Sequence, residues 1–499
     1  MTLLRRAVFP VALAVVLLAH VLVAVPSLIE LRLWEDEAFN LTVPLNLLRG
    51  LGYTSDGTLS GSQLTPFDTR ISTGPVVLLP VAAALATGAD MVLAGRSVML
   101  LFYGTLLAGL WVVGRRIGGR WAGLVAVVVP LALDTDARPS PLQGPADILG
   151  EIPAAAMVVL ALATFRSRPW LAGLFLGLAV QCKAIALLAL PALFLAVFFT
   201  EPGETLWQRV KRVLPMLGTA LIPTAMVSLW QIIVLGPEGY RHRTHQFVDF
   251  LFSGGQSART FSAGEKLTAF LSDWRLPLPA TVVVILGALL IGFCAVILIR
   301  RGRALPIAGG QAALRRERLV LLAAAGVGLL TWLAWWLASS GTPAWVRHPS
   351  PGFFTFVPVL AAYVVLALRV LNGAPRLWAR VVSVGGAVAF TAVLTLQVAA
   401  HVADARVGAG ETLAEQSRAA VAIGALDEDW LAGAWGGTVS VTVMSGAHAA
   451  LADAPAAARA TRIWVEYDHS GRAELREWLG SHCGRELLAT GPYVVCGAP

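Results

Sequence analysis

An acidic cluster, Trp34-Glu35-Asp36-Glu37, comes soon after the first long apolar run of the chain. If that run crosses a membrane, Asp36 and Glu37 lie at the membrane surface. A carboxylate in such a position can accept a proton from a hydroxyl group, which is the task of a general base. We therefore predict Asp36 and Glu37 as catalytic residues. The alternative is that they only solvate a loop and cap a helix.

Lys183 interrupts a second apolar stretch, which then resumes and contains Pro191. A lysine at the centre of a membrane helix would cost roughly 3 kcal/mol, so we expect Lys183 at a turn between two helices. Its ammonium group can neutralise a lipid phosphate there, or it can simply extend to the membrane interface. We expect Arg96, Arg347 and His348 on the same face, where they complete a predicted phosphate site.

A second acidic group surrounds a proline-rich segment and consists of Asp134, Asp136, Asp147 and Glu151. From this group we predict Asp147 and Glu151 as a second acidic site. Glu151 precedes Pro153 near the expected start of a helix, where a carboxylate meets the positive end of the helix dipole. That electrostatic effect alone would also explain Glu151.

The elements that must position these residues are membrane helices. Of the 499 residues, 57% are apolar and only 14% are charged, and the mean hydropathy is +0.72. This composition indicates a polytopic membrane protein. The net charge of +8 would suggest a nucleic-acid partner in a soluble chain. Here topology explains the arginine-rich loops, and no nucleic-acid partner is predicted.

About eleven membrane spans are predicted, each from an apolar run that can cross about 30 Å of hydrocarbon, although the third, fifth and sixth are short. They lie at 7–29, 92–114, 120–134, 148–165, 169–182, 184–200, 214–236, 278–299, 318–338, 353–371 and 381–401. The run 75–88 is predicted as a re-entrant or interfacial helix, because a further span there would invert the charge pattern of every later loop. With this topology the arginine-rich loops are cytoplasmic, and the acidic cluster and Lys183 face outside.

The C-terminal residues 402–499 are predicted to form a small external α/β domain, distinct from a membrane domain over 1–401. Within it, 437–444 and 462–467 are predicted as strands, 493–495 as a further strand, and 471–479 as a helix. Cys483 and Cys496 either form a disulfide, if this face is oxidising, or stay as two thiols.

The order of several motifs resembles the GT-C fold glycosyltransferases that use polyprenyl-phosphate sugars, including protein O-mannosyltransferases and the aminoarabinose transferases that modify lipid A. The motifs lie in roughly the first 200 residues: Asp36-Glu37-Ala38, Leu-Leu-Arg-Gly-Leu-Gly-Tyr at 47–53, Thr73-Gly74-Pro75, Arg96, and Gly177-Leu178-Ala179 with Lys183 and Pro191. The sequence departs from the lipid A branch at Thr73-Gly74-Pro75, where a double proline is common, and at Phe39, where an arginine often follows the acidic pair.

This resemblance implies a GT-C-like helical membrane protein of the plasma membrane, with its active site and C-terminal domain on the external face. The implied reaction moves a sugar from a polyprenyl monophosphate to a hydroxyl of an external acceptor, a cell-envelope glycan, lipid or protein, and we expect inversion at the anomeric carbon. Asp36 would be the base, and Lys183 with Arg96 would contact the donor phosphate.

The expected partners are the lipid-linked sugar, the envelope acceptor and membrane lipid. No metal or other cofactor is predicted, because cationic side chains can hold a monophosphate leaving group, and the question of a divalent metal stays open. Two other classes also stay open. One is a transporter or flippase for lipid-linked sugars, and the other is a non-catalytic scaffold in envelope assembly.

Overall fold

The computed structural model describes residues 2–57, 63–70, 72–133, 142–201, 203–253, 259–272, 274, 280–304, 309–405, 410–451, 461–465 and 483–497. Asp134, Asp136 and the helix predicted over 471–479 lie outside these residues. In chain order the helices are α1 (Thr2–Ile29), α2 (Glu35–Leu48), α3 (Pro75–Leu85), α4 (Met91–Gly118), α5 (Arg120–Ala132), α6 (Glu151–Thr164), α7 (Pro169–Cys182), α8 (Leu190–Phe198), α9 (Leu206–Ser253), α10 (Ala263–Ser272), α11 (Ala280–Ala304), α12 (Gly309–Ala338), α13 (Ser350–Asn372), α14 (Leu377–Asp404), α15 (Leu413–Gly424) and α16 (Gly437–Ser445).

Six helices in the described part of the chain are long and apolar enough to cross a membrane, namely α1, α4, α9, α12, α13 and α14. Of these, α13 is the most buried, and it packs against α4, α5, α6, α11, α12 and α14. In contrast α1, α9 and α14 leave most of their apolar surface exposed, which suits contact with lipid tails. The chain is therefore a multi-pass helical membrane protein with α13 at its centre.

Several shorter apolar helices complete the bundle. Three of them, α5, α7 and α8, correspond to the third, fifth and sixth predicted spans, which were expected to be short. The eleven-residue helix α3 is about 16 Å long, roughly half of the hydrocarbon thickness. This length is consistent with the interfacial or re-entrant helix predicted for 75–88. Helix α9 bends at Gly236, whose φ of 71° is not helical, at the end of the span predicted over 214–236.

Lys183 lies between two helices, as predicted. Helix α7 ends at Cys182, Lys183 is extended with φ −155° and ψ 119°, and a 3₁₀ helix follows at Ala184–Ala189 before α8. This break takes Lys183 out of a regular helix, in keeping with the cost of a lysine inside a membrane helix from which the turn was predicted.

The two ends of the helical bundle differ in chemistry. At one end arginines donate to carbonyls at helix C-termini: Arg116 to Ala163, Arg316 to Phe199 and Arg369 to Gly118. Positive charge there complements the negative end of the helix dipoles. Helix α6 runs from this end to its first residue, Glu151, which therefore lies at the opposite end of the bundle together with α2 and α3.

The C-terminal region forms a five-stranded sheet of order β4-β3-β5-β7-β6. Its strands are β3 (Trp430–Gly433), β4 (His448–Leu451), β5 (Thr461–Val465), β6 (Glu486–Thr490) and β7 (Tyr493–Cys496), while β1 (Thr54–Ser55) and β2 (Thr65–Pro66) form a separate hairpin after α2. Strand β3 is parallel to β4 and β5, whereas β7 is antiparallel to β5 and β6. The predicted strands at 462–467 and 493–495 are confirmed in their described parts as β5 and β7.

The strand predicted over 437–444 is wrong, because this segment is the helix α16. Its valines and threonines have high strand propensity, but that preference is weak against tertiary context. The segment joins the parallel strands β3 and β4, and such a connection needs a crossover, which is usually a helix. Gly436 and Gly446, with φ of 144° and 94°, bound the helix.

Cys483 and Cys496 form a disulfide, so the first of the two alternatives holds in the structure. The bond joins β7 to the segment before β6. Cys182 is a free cysteine and is buried.

The C-terminal sheet region docks onto the segment that leads into α2. The backbone N–H of Leu413 donates to Glu30 O at 2.9 Å. The side chain of Gln416 bonds both backbone groups of Leu33, accepting from its N–H at 2.7 Å and donating to its C=O at 3.0 Å. Helix α15 thus fixes the chain just before the acidic cluster.

Candidate active site

Helix α2 presents the predicted catalytic residues in its first turn. Glu37 accepts a hydrogen bond from the backbone N–H of Trp34 at 3.3 Å, which satisfies one orphan donor at the helix start. Ala38 and Leu41 face the main core, so Glu37 is buried with them. Asp36 is more open, with 29% of its side chain exposed. The two neighbouring carboxylates therefore have different environments.

Glu37 forms a buried, two-bond ion pair with Arg96. Arg96 Nε and Nη2 donate to the two carboxylate oxygens of Glu37 at 3.0 and 2.8 Å, and both side chains are 1% exposed. The guanidinium also donates to Leu31 O and Arg32 O, at 2.8 and 3.0 Å. Because Arg96 and Glu37 use these hydrogen-bonding groups inside the protein, the pair is better suited to positioning other residues than to contacting a ligand.

Four charged residues of alternating sign form a line at this end of the bundle, which we call the charge line: Asp36, Arg347, Glu151 and Lys183. Arg347 Nη2 donates to Asp36 Oδ2 at 2.6 Å, and its Nε lies 3.8 Å from Glu151 Oε1. Lys183 Nζ lies 2.9 Å from the same Glu151 oxygen. The Arg347 guanidinium also covers the ring of Trp34, with 4.6 Å between its Cζ and the ring centroid. The charge line thus joins four of the predicted site residues.

Two close backbone approaches hold Lys183 in this line. Gly74 N donates to Cys182 O at 2.9 Å, and Thr73 and Lys183 form an isolated antiparallel bridge. A Cβ on Gly74 would lie 2.1 Å from Gln181 O, and one on Gly150 would lie 2.4 Å from Cys182 O. Only glycine fits at either position without a backbone shift. The Thr73-Gly74-Pro75 motif and Lys183 are therefore parts of one structure.

Asn40, which sequence reasoning missed, ties three segments together. Its Nδ2 donates to Thr73 Oγ1 at 3.0 Å and to Ile148 O at 2.8 Å, and its Oδ1 accepts from Ser72 Oγ at 3.3 Å. Asn40 lies one helical turn after Asp36, and neighbours at that spacing share a helix face. The four-residue spacing from Asp36 is the feature of the sequence that could have identified Asn40 as a site residue.

The loop before α6 places Asp147 beside the Glu37–Arg96 pair. Its Oδ2 accepts from Gly144 N at 2.7 Å. Burial raises the pKa of the Asp147 carboxyl to about 7, and the nearby charge of Glu37 acts in the same direction, while Arg96, the Gly144 bond and Arg347 oppose the rise. Asp147 therefore lies close to the buried pair, and Glu151 lies in the charge line.

His348 follows Arg347 in the loop between α12 and α13. Burial lowers the pKa of its imidazole to about 3, and the charges of Arg347 and Lys183 act in the same direction. The ring stacks on Trp345 with 6.0 Å between centroids and 3° between planes. Because this imidazole is neutral at pH 7, it offers hydrogen bonds at the site and no positive charge.

The motif at 47–53 docks the C-terminal region. Gly50 and Gly52 adopt φ of 78° and 76°, which lets the chain turn sharply after α2. Arg49 Nη2 then donates to Gly446 O at 3.1 Å. Nearby, Asp56 accepts from Ala449 N at 3.0 Å and lies 2.9 Å from His448 Nδ1. This motif has a structural role at an interface between two parts of the chain.

In the residues that the structure describes, no group of three or more His, Cys, Asp or Glu could hold a metal ion. The acidic residues of the site face arginine and lysine, as the charge line and the Glu37–Arg96 pair illustrate.

The helical bundle, with the short helices α2 and α3 at one end and the C-terminal sheet, is similar in overall fold to solved GT-C structures. Over 99% of this chain and 98% of the other, the structure resembles that of ArnT from Cupriavidus metallidurans in the apo state, with a TM-score of 0.58 and 14% sequence identity. The structure of the same protein bound to undecaprenyl phosphate matches with a TM-score of 0.57 and 13% sequence identity, and 97% of each chain is covered.

A more distant match is the Archaeoglobus fulgidus oligosaccharyltransferase in complex with Zn and sulfate. Its TM-score is 0.44 and its sequence identity is 12%, with 88% of this chain and 62% of that chain covered. No protein-family profile matches the sequence. No curated protein matches it either. The likeness to solved structures establishes the fold.

Proposed function

We propose that the protein is a membrane glycosyltransferase that moves one sugar from a polyprenyl monophosphate to a hydroxyl of a cell-envelope acceptor, with inversion at the anomeric carbon. The observation that carries this proposal is the charge line, which combines one carboxylate open to solvent with two cations. The GT-C fold supports it, and the ArnT structure bound to undecaprenyl phosphate makes that lipid the first donor carrier to test.

In the proposed reaction Asp36 accepts the proton of the acceptor hydroxyl. The acceptor oxygen attacks the anomeric carbon on the face opposite the phosphate, and a new glycosidic bond forms. The bond between the anomeric carbon and the phosphate oxygen breaks, and the phosphate leaves with the electron pair. Arg347 orients Asp36 through a bond to Oδ2. Within the described part of the chain Arg347 is the partner of this carboxylate, so Oδ1 is left for the acceptor hydroxyl.

Lys183 and Arg347 are the proposed ligands of the donor phosphate. Both contact the same oxygen of Glu151, so this carboxylate keeps two cations close together. Cations fixed in advance stabilise the negative charge that develops on the leaving phosphate without having to reorganise. We assign Glu37, Arg96 and Asn40 to positioning, because their bonds connect α2 to α4, to the loop that carries Asp147 and to Thr73, which is bridged to Lys183.

We further propose that the site and residues 402–499 face the outside of the plasma membrane. The arginine-rich opposite end of the bundle supports this orientation, since positive residues prefer the cytoplasmic side. The disulfide between Cys483 and Cys496 supports it as well, because disulfides persist in oxidising compartments. The proposed role of residues 402–499 is to cover the site, because Gln416 and Trp435 pack beside α2.

The test is a transfer assay with purified protein, undecaprenyl phosphates that carry different sugars, and a cell-envelope extract as acceptor. We expect Asp36→Asn to lower kcat by about 10²- to 10⁴-fold while undecaprenyl phosphate still binds. Glu35→Gln is the matched control, because it removes the neighbouring carboxylate of the same helix turn, and it should retain activity.

Equal turnover by the wild type and Asp36→Asn would place the base elsewhere. No turnover by a folded wild type with any sugar would refute the transferase. Movement of the sugar lipids across vesicles would then favour the transporter alternative.

A further inference from the structure

Three polar atoms around Arg347 are shielded from solvent and have no hydrogen-bond partner among the described residues. They are Trp34 Nε1, His348 Nε2 and Glu151 Oε2. An unpaired buried polar group costs about 1–3 kcal/mol, and such groups are rare enough in native proteins to need an explanation. All three occur in one place, and the mechanism above uses none of them.

The three atoms belong to residues that surround one guanidinium group. The ring of Trp34 lies under Arg347 at 4.6 Å, and Glu151 lies 3.8 Å from Arg347 Nε through its other oxygen. His348 is the next residue in the chain. The charges of Arg347, Lys183 and Glu151 act on its imidazole, so all three residues border the charge line.

The chemistry of these atoms distinguishes between ligands. The Trp34 indole N–H can only donate, the Glu151 carboxylate can only accept, and the neutral His348 imidazole does either according to its tautomer. A phosphate group only accepts hydrogen bonds, and the Glu151 charge would repel it. A sugar hydroxyl both donates and accepts, so it matches the whole set.

We propose that Trp34, His348 and Glu151 bind hydroxyl groups of the transferred sugar, in a subsite next to the phosphate ligands. The inference rests on the proposed function and extends it to the recognition of the sugar. Trp34 donates to a sugar oxygen, Glu151 Oε2 accepts from a hydroxyl, and His348 bonds a further oxygen or hydroxyl.

Each member of this subsite is held in place by a second contact. Arg347 covers the Trp34 ring, Trp345 stacks on His348, and Lys183 bonds the other oxygen of Glu151 at 2.9 Å. A preformed polar site rejects analogues that lack a matching hydroxyl, because its buried groups then stay unpaired. The subsite thus determines which sugar is accepted.

Trp34→Phe tests the proposal because it removes the N–H but keeps an aromatic ring beneath Arg347. The first measurement is equilibrium binding of bare undecaprenyl phosphate and of undecaprenyl phosphates that carry a hexose or a pentose. We expect the wild type to prefer one sugar-bearing lipid, and Trp34→Phe to reduce that preference about tenfold with unchanged affinity for the bare lipid. Trp170→Phe, at the far end of α7 from Lys183, is the control and should keep the preference.

The second measurement uses monodeoxy versions of the preferred sugar lipid. The wild type should bind one deoxy analogue about tenfold more weakly, and Trp34→Phe should bind that analogue and the parent equally. The subsite would be overturned if Trp34→Phe kept the wild-type preference, or if the wild type had no preference. It would also be overturned if the loss of affinity caused by Trp34→Phe simply added to the loss caused by each deoxy analogue. Because these are binding measurements, a failure of transfer alone would count against the proposed function and leave this inference standing.

Discussion

Arg347 Nη2 lies 2.6 Å from Asp36 Oδ2, although 311 residues separate them in the chain. The contact joins the loop before α13 to the first turn of α2. Because α13 is the central helix of the bundle, this contact ties Asp36 to the core of the protein. The proposed base is therefore held by a residue that comes late in the sequence.

Lys183→Met should weaken the binding of undecaprenyl phosphate by about 10- to 100-fold, since a hydrogen bond to a charged group contributes about 1.5–3 kcal/mol. The variant also leaves Glu151 with one cation fewer, so Lys183→Met/Glu151→Gln serves as a second variant in case the single one misfolds. Lys211→Met removes a lysine that lies over Trp207 in the first turns of α9, and it should bind normally. Wild-type affinity in both Lys183 variants would exclude Lys183 from the phosphate site.

The Glu37–Arg96 pair should matter for folding more than for ligand contact. Breaking a buried ion pair costs about 3–5 kcal/mol, so Arg96→Met should lower the thermal unfolding temperature strongly. Glu37→Gln/Arg96→Met should recover part of that loss, because neither partner is left as an unpaired buried charge. Arg259→Met, which breaks an ion pair between the exposed residues Arg259 and Glu265, should have little effect on the unfolding temperature. Full stability of Arg96→Met would show that the pair is dispensable.

Gly74→Ala should disturb the site through its backbone. The added Cβ would lie 2.1 Å from Gln181 O, so the segment that carries Lys183 must move. We expect reduced affinity for undecaprenyl phosphate together with a lower unfolding temperature. Gly104→Ala is the matched control, because a Cβ there meets nothing within 4 Å and alanine is favoured inside a helix. Equal behaviour of the two variants would show that the close approach has no functional role.

Asp147 should make stability depend on pH. Burial raises the pKa of this carboxyl from 3.8 to about 7, so the folded state favours the protonated form. The contribution of the protonated Asp147 to the free energy of unfolding is full below pH 4 and is lost as the pH rises to about 7. The unfolding temperature of Asp147→Asn relative to the wild type should therefore increase from pH 4 to pH 7 and then level off. A constant difference over this range would show that Asp147 titrates normally.

The sequence predicted the parts of the site that depend on local chemistry. A lysine inside an apolar run had to leave the helix, and Lys183 does so. The acidic pair after a membrane-length run was predicted as catalytic at the membrane surface, with helix capping as the alternative, and the helix α2 begins there. These predictions needed only the cost of burying charge.

The partners of these residues could not be predicted, because they depend on how distant helices pack. Asp36 and Glu37 are adjacent, yet one pairs with Arg347 and the other with Arg96. Likewise the β-branched run at 437–444 predicted a strand, and the crossover between β3 and β4 made it a helix. In both cases long-range geometry decided between locally equivalent outcomes.

The contact between Asp56 and His448 has a consequence for biosynthesis. The two residues are 392 positions apart, so at roughly 5–20 residues per second a ribosome needs about 20–80 s to make the segment between them. Throughout that time the segment after α2 is already made while its partner does not yet exist. Completion of the site is therefore a late step in the life of the nascent chain, and a truncated translation product would carry Asp36 without the region that docks beside it.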